Sequence, residues 1–299
     1  MRVSERHRYH ITHSRVERAK SDNADQLEKI STQKRINRIS DDPVAAGQAI
    51  RERGRIKTVD RYLKNIDYAK GFVERTETAL SGLADNLIRA RELAVGLANA
   101  TYDENSREAA SREIRQIIDD VVGIGNATFA NRYVFGGFRS QTPPLSLDGT
   151  FLGDDGAVFL EVDRNEFKQI NLQARKLFEA DSEELNNGHF GIVHALSLLF
   201  DGLADDDMSQ IRKSMDEITY QLEKTTSFQA TLGAIWNALE GTGQRSELTR
   251  EISQEKLSRL EDVDAYQAVS DFKRTETVLQ STLMASNKLL QPSLLNFMQ

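Results

Sequence analysis

Between residues 62 and 97, apolar side chains return at alternating spacings of four and three: Tyr62, Ile66, Ala69, Val73, Thr76, Leu80, Leu83, Leu87, Ala90, Ala94 and Leu97. Only Thr76 is polar. A 4-3 repeat sustained this long predicts a coiled-coil seam, because it keeps one stripe of a helix on its partner turn after turn. Proline occurs only at 43, 143, 144 and 292, so nothing breaks a helix between 44 and 142. With Pro43 in its first position, this helix is expected to reach about residue 100, a rod of roughly 85 Å at 1.5 Å per residue.

The same spacing recurs twice. Asn99 to Asn105 reads as a polar turn with Asp103 or Asn105 capping a second helix, whose seam is Ala110, Ile114, Ile117, Val121, Ile124 and Thr128. A third seam runs through Met208, Ile211, Met215, Ile218, Leu222, Thr225, Gln229, Leu232, Trp236 and Leu239, with Asp205 to Asp207 as its N-terminal signal. Gly241-Thr-Gly243 predicts a kink or phase shift there, since apolar residues resume offset at Leu248 and Ile252. Single amphipathic helices cannot bury such stripes alone, so these three predict a bundle.

The ends carry weaker versions of the pattern. Val269, Phe272, Leu279, Leu283 and Leu290 keep the phase near the C-terminus, with Glu276 and Ser286 as polar interruptions. Val16, Ala19, Leu27 and Ile30 do so near the N-terminus, broken by Asn23. Neither end hides its stripe within its own segment, so each is expected to pair with the other, with neighbouring subunits, or with both.

Residues 136–188 break the helical pattern. Gly136-Gly137 ends it, Pro143-Pro144 forbids its return, and Asp148-Gly149 and Gly153-Asp-Asp-Gly156 are turn signals. Ala157 to Val162 and Phe167 to Leu172 have strand composition. A β-rich insert of about three to five strands is expected, too small to be stable without the bundle. Phe190 to Phe200 then predicts a short apolar helix returning the chain to the rod.

Composition narrows the function. Aromatics are only 7% and charged residues 28%, which suits long exposed helices. A net charge of −7 with no basic tail argues against wholesale nucleic-acid binding. There are no cysteines, so disulfides, thiolate catalysis and cysteine metal sites are excluded. No apolar run spans a membrane, and the start Met1-Arg-Val-Ser-Glu-Arg-His-Arg-Tyr-His10 carries no secretory h-region. His7, His10 and His13 do not converge on a helix, and no Asp, Glu or Cys completes a tetrahedral set. His189 and His194 read as packing or surface groups. Dinucleotide, P-loop and serine-elbow motifs are missing. The expectation is a structural protein with no enzyme activity, metal or cofactor.

The most specific stretch lies at 29–50. Ser40, Asp41 and Asp42 offer oxygens to a helix start at Pro43, and their carboxylates suit the positive end of its dipole. With Ser31, Thr32, Arg35, Ile36, Asn37, Ala45, Ala46, Gly47, Gln48 and Ala49, this segment resembles the N-terminal segment of bacterial flagellins and their hook-associated relatives. Gln33 departs from that pattern, standing where the family has a glycine that would permit positive φ. Leu260-Glu-Asp-Val-Asp264 and the run to Met298 resemble the family's C-terminal helix and its lead-in. Met1-Arg-Val-Ser, Arg132-Tyr-Val-Phe-Gly-Gly137 and the small single insert are similar to the hook-associated branch that joins hook-side proteins to the filament.

The resemblance implies a mainly α fold: an elongated antiparallel bundle or coiled-coil rod with a small β-rich insert and paired terminal helices. It implies assembly helices at 1–42 plus 261–299, a rod at 43–135 plus 189–260, and an outer insert at 136–188. The terminal helices would fold on assembly, with Ser31 to Ala46 and the C-terminal seam as assembly residues and Tyr62 to Leu97 as rod seam. Implied partners are copies in a ring, hook-associated protein 1, flagellin and a cytoplasmic export chaperone on the C-terminal helix. Implied location is the hook–filament junction, reached through the flagellar export channel. Two other readings are a short filament flagellin and a cytoplasmic coiled-coil scaffold. An enzyme built on a bundle would need polar groups converging on the seams, which hold mainly Leu, Ile, Val, Ala and Met.

Overall fold

A computed structural model describes residues 2–98 and 104–290. Eight helices form among the described residues: α1 Arg2–Thr32, α2 Pro43–Leu97, α3 Glu104–Gly125, α4 Arg175–Phe178, α5 Ser182–Asn186, α6 Ile192–Ala204, α7 Met208–Glu261 and α8 Ala265–Leu290. Two antiparallel pairs complete the inventory: β1 Thr128–Phe129 with β2 Arg132–Tyr133, and β3 Phe159–Asp163 with β4 Glu166–Gln169. The chain divides into two compact units, Met1–Thr58 with Thr249–Gln299, and Val59–Leu248. The fold is mainly α with a small β insert. Of the expected turn, Asn99 to Asp103 lie outside the described residues, and Asn105 lies inside α3.

In the unit Val59–Leu248 one core forms. Ile66, Val73, Leu80, Leu83 and Leu87 of α2 are buried with Ile114 and Val121 of α3, Leu196 and Leu199 of α6, and Ile211, Ile218, Leu232 and Leu239 of α7. Thr76, the polar member of the α2 stripe, is fully buried and donates its hydroxyl to the Phe72 carbonyl at 2.8 Å. That satisfies the group without a partner helix. The insert shares this core through Leu145, Phe151, Val162, Ile170, Leu177 and Phe178.

Three expectations fail in this unit. The second helix ends at Gly125, not beyond Thr128, and residues 128–133 form the β1–β2 hairpin. Ala130 and Asn131 take φ of 48° and 61° at its tip, a turn that matches strand twist but lacks its usual glycine. Gly125 is required where the helix stops, because a Cβ there would lie 2.5 Å from Leu145 Cδ2. Second, among the described residues the insert holds two strands and one isolated bridge, Leu145 with Phe151, fewer than the three to five expected. The turn between β3 and β4 places Asn165 at φ 59°.

Third, α7 runs unbroken through Gly241-Thr-Gly243. Its buried stripe holds a strict seven-residue phase: Ile211, Ile218, Thr225, Leu232, Leu239, Ser246 and Ser253. Leu248 and Ile252 are 57% and 43% exposed. The apparent phase shift came from following apolar residues where the seam continues on serines. Asp207 caps this helix, its Oδ1 accepting the Ser209 and Gln210 amides at 2.8 and 3.3 Å.

The unit formed by the chain ends contains α1, α8, the start of α2 and the end of α7. There α1 and α8 pack antiparallel, with Val263 near the end of α1 and Ser286 beside its first half.

Candidate assembly site

The segment between α1 and α2 folds back on the end of α7. Gln33 enters the left-handed region at φ 57°, the conformation for which a glycine is the usual residue. The turn this makes lets Gln33 accept the Val263 amide at 3.1 Å and lets the Arg35 amide reach the Glu261 carbonyl at 2.6 Å. Lys34 and Asp262 form an isolated antiparallel bridge. Two segments more than 220 residues apart are thereby stitched by backbone bonds, and the Arg35 side chain adds another link, its Nη2 donating to the Leu260 carbonyl 225 residues away.

Side chains close the knot. Ile36 is buried with Ala45 and Ala46 against Leu260. Arg35 Nη1 lies 3.3 Å from Asp42 Oδ2. The other oxygen of Asp42 accepts the Ala45 amide at 3.0 Å and so caps α2, placing Pro43 in its first turn. Asp41 points away from the helix: its Oδ2 accepts the Asn37 and Arg38 amides at 3.0 and 2.8 Å. Those backbone donors hold the Asp41 carboxyl below its ordinary range, and the Ala45 amide with Arg35 does the same for Asp42. The cap thus comes from Asp42 rather than Ser40. Ser31 and Thr32 donate to the Leu27 and Glu28 carbonyls, each at 2.8 Å, finishing α1.

Glu261, named in sequence only as part of a lead-in, is the charged centre. Its side chain is 5% exposed and meets Arg53 at 2.6 Å and Lys34 Nζ at 3.2 Å. A carboxylate taken this far from water needs such partners.

The terminal seam keeps Val16, Ala19, Ile30, Phe272 and Leu279 of the apolar residues that marked it in sequence and shifts by one position at Leu27, Val269 and Leu283. On α8, Ala268 and Ser286 are buried, and Phe272, Thr275, Leu279 and Thr282 are half-buried. Val269 and Leu283 are exposed, and the Leu290 side chain lies outside the described residues. On α1, Ala19 is buried and Thr12, Val16, Asn23, Gln26 and Ile30 are half-buried, while Leu27 is exposed. Asn23 and Ser286, read as interruptions, therefore belong to the seam. Asn23 Nδ2 donates to Thr275 Oγ1 at 3.2 Å. The apolar residues displaced from the seam leave both helices with apolar outer flanks.

The remaining sequence candidates in the described structure belong to the other unit. Tyr62, Ile66, Val73, Leu80, Leu83, Leu87 and Leu97 are buried side chains of the other unit. His189 stacks on Tyr220 with ring centroids 3.8 Å apart and meets the buried Glu217 at 3.0 Å. Among the described residues no cluster of His, Cys, Asp or Glu could hold a metal, and no helix is long and apolar enough to cross a membrane.

These features define a class: a helical structural subunit whose two chain ends are tied together and carry apolar outer flanks. The bacterial flagellin N-terminal helical region matches residues 3–139, and the flagellin C-terminal helical region matches residues 215–298. A flagellin of Halalkalibacterium halodurans is 30% identical over 86% of this chain and 84% of its own. Flagellar hook-associated protein 3 of Escherichia coli is 26% identical over 86% of this chain and 87% of its own. The solved structure of Bacillus cereus FlgL, 20% identical, superposes with a TM-score of 0.61 over 70% of this chain and 99% of that one, so the fold is shared. The chain belongs to the flagellin family and is a structural component of the bacterial flagellum.

Proposed function

We propose that this chain is the junction subunit of the flagellum, forming a ring that joins hook-associated protein 1 to the flagellin filament. The observation that carries this is the match to hook-associated protein 3 along nearly the whole of both chains. The small insert, which has no core separate from the helices, supports the same reading. In this role the division is one of assembly: 1–42 with 261–299 as terminal assembly helices, 43–135 with 189–260 as rod, 136–188 as outer insert. Val269, Leu283, Leu27 and the fully outward Tyr266 would meet neighbouring copies, and α8 would be held by an export chaperone before secretion.

A second reading, a short filament flagellin, is favoured by the 30% identity to the Halalkalibacterium halodurans protein. Immunogold labelling of intact flagella separates the two. The junction reading expects label in one band where hook meets filament. Label along the whole filament overturns it in favour of flagellin.

A further inference from the structure

The α1–α8 pair is held by an unusual seam. Along each helix one stripe of sheltered positions holds Thr12, Val16, Ala19, Asn23, Gln26 and Ile30 on α1, and Ala268, Phe272, Thr275, Leu279, Thr282 and Ser286 on α8; Asp25, Glu28, Lys29 and Asp271 are half-buried off this stripe. Both stripes follow the same 4-3 spacing. Starting from the Asn23–Thr275 bond and running antiparallel, every position of one stripe falls opposite one of the other. Ile30 then falls opposite Ala268 and Ala19 opposite Leu279, large against small in opposite senses.

We propose that Asn23 and Thr275 set the register of this pair and exclude other pairings of α1 on an α8 helix, whether of its own chain or of a second copy. Thr275 is oriented for the task. Its single hydroxyl proton goes to the Phe272 carbonyl at 2.9 Å, which leaves an oxygen lone pair for the Asn23 amide. Two slips, of seven residues in either direction, keep the seams in phase, and they put Asn23 opposite Ala268 or Thr282. The first leaves its amide without a side-chain acceptor, which disfavours it by about tenfold. The second restores a hydroxyl but sets Ala19 against Ser286, small on small, and loses the packing on Leu279. A polar pair inside an otherwise apolar seam specifies register in coiled coils at some cost in stability. Apolar content specifies register only weakly here, because Val269, Leu283 and Leu27 lie outside the seam and Phe272, Leu279 and Ile30 alternate with small and polar residues within it.

The inference concerns how α1 chooses its partner surface, and the test reads register alone, so its failure leaves the junction reading untouched. The chain has no cysteine, so introduced pairs report cleanly through direct disulfide formation, which demands close approach. In the full chain, Ala19→Cys with Leu279→Cys marks the native register, and Ala19→Cys with Phe272→Cys or Ser286→Cys marks the two slipped ones. The parent is expected to oxidise the native pair about tenfold faster than either slipped pair. With Asn23→Leu and Thr275→Leu added, the slipped pairs should come within about threefold of the native one, at undiminished helicity by circular dichroism. Thr275→Ser, which keeps the hydroxyl, should behave as the parent. A native preference that survives the double substitution overturns the proposal, with the 33–42 knot then setting register alone. Loss of every crosslink, or a Thr275→Ser variant that slips like the double variant, overturns it as well.

Discussion

Arg53 and Glu261 meet at 2.6 Å across 208 residues of sequence, and Lys34 approaches the same carboxylate at 3.2 Å. The anion is sheltered while both cations keep about half their surface in water, so the loss of Glu261 strands no buried positive charge. Glu261→Gln should therefore weaken the knot by only about 1–2 kcal/mol. Hydrogen exchange reads this locally. The Arg35 and Val263 amides, whose acceptors are Glu261 and Gln33 carbonyls, should exchange about tenfold faster, since 1.4 kcal/mol is a factor of ten. Unchanged protection would mean that the backbone bonds alone hold the segments together.

The knot should also open in acid. Asp41 and Asp42 are both held below the ordinary value of 3.8 by backbone amides that need the ionised carboxylate. A carboxylate whose folded pKa is depressed contributes stability above its unfolded pKa and loses it as pH falls through the folded value. The contribution should thus be complete above about pH 4 and disappear below it. Amide chemical shifts of Asn37, Arg38 and Ala45 during an acid titration check this. Asp41→Asn should remove the transition at Asn37 and Arg38 and leave the one at Ala45.

Gln33 stores strain that a smaller residue would release. Its φ of 57° costs an L-residue about 1–2 kcal/mol. Gln33→Gly should stabilise the knot by about 0.5–1 kcal/mol after the extra freedom of an unfolded glycine is deducted. Gln33→Val should destabilise it, because branching at Cβ disfavours the left-handed region most. Equal midpoints for the three proteins in urea would show that the turn relaxes elsewhere.

How much of this could be read from the chain depends on what kept the helices in phase. The α2 stripe was legible because apolar residues fill every buried position of it except Thr76. On α7 the same geometry continues through Ser246 and Ser253, which carry no hydrophobic signal, while Leu248 and Ile252 carry one and face outward. The terminal helices misled in part for the same reason: Val16, Ala19, Ile30, Phe272 and Leu279 marked the seam, but Asn23, Gln26, Thr275, Thr282 and Ser286 continue it with polar side chains. The β1–β2 hairpin was silent because Ala130 and Asn131 take positive φ without a glycine to announce it, and Thr128 happens to continue the helical spacing. At the knot, the residues on the 31–46 side were visible as a motif. Their partners Leu260 and Glu261 were visible only as part of the C-terminal lead-in, because nothing in a linear sequence pairs positions 225 apart.

Two glycines of long helices should respond oppositely to the same change. A Cβ on Gly71 would lie 2.9 Å from Phe129 Cζ, and that ring is boxed edge-on by Tyr68 and Phe72 at 5.4 and 6.1 Å. Gly71→Ala should therefore cost about 1–3 kcal/mol through displacement of the β1–β2 hairpin, more than the roughly 1 kcal/mol returned by helix propensity. Gly233 on α7 has no atom within 4 Å of its would-be Cβ, and Gly233→Ala should gain about that amount. Thermal midpoints moving in opposite directions are expected. A stabilised Gly71→Ala protein would show that Phe129 swings away freely.

Arg35 and Pro43 lie close in sequence, but their roles in the knot differ in kind. Pro43 occupies a helix position where its missing amide costs nothing, so Pro43→Ala removes only some rigidity, about 0.5 kcal/mol. Arg35 ties α1's end to Asp42, to the Leu260 carbonyl and, through its amide, to Glu261. Arg35→Ala deletes the two side-chain links and keeps the amide, so the chain should still fold and be exported. What it should lose is the fixed geometry between the end of α1 and the start of α8 that incorporation into a polymer requires. Cells carrying Arg35→Ala should secrete the protein into the medium and bear few or short filaments, while Pro43→Ala cells swim normally. Normal filaments on Arg35→Ala cells would detach the knot from assembly, and a Pro43→Ala defect of equal size would show that the helix start, rather than the stitch to α7, is what assembly reads.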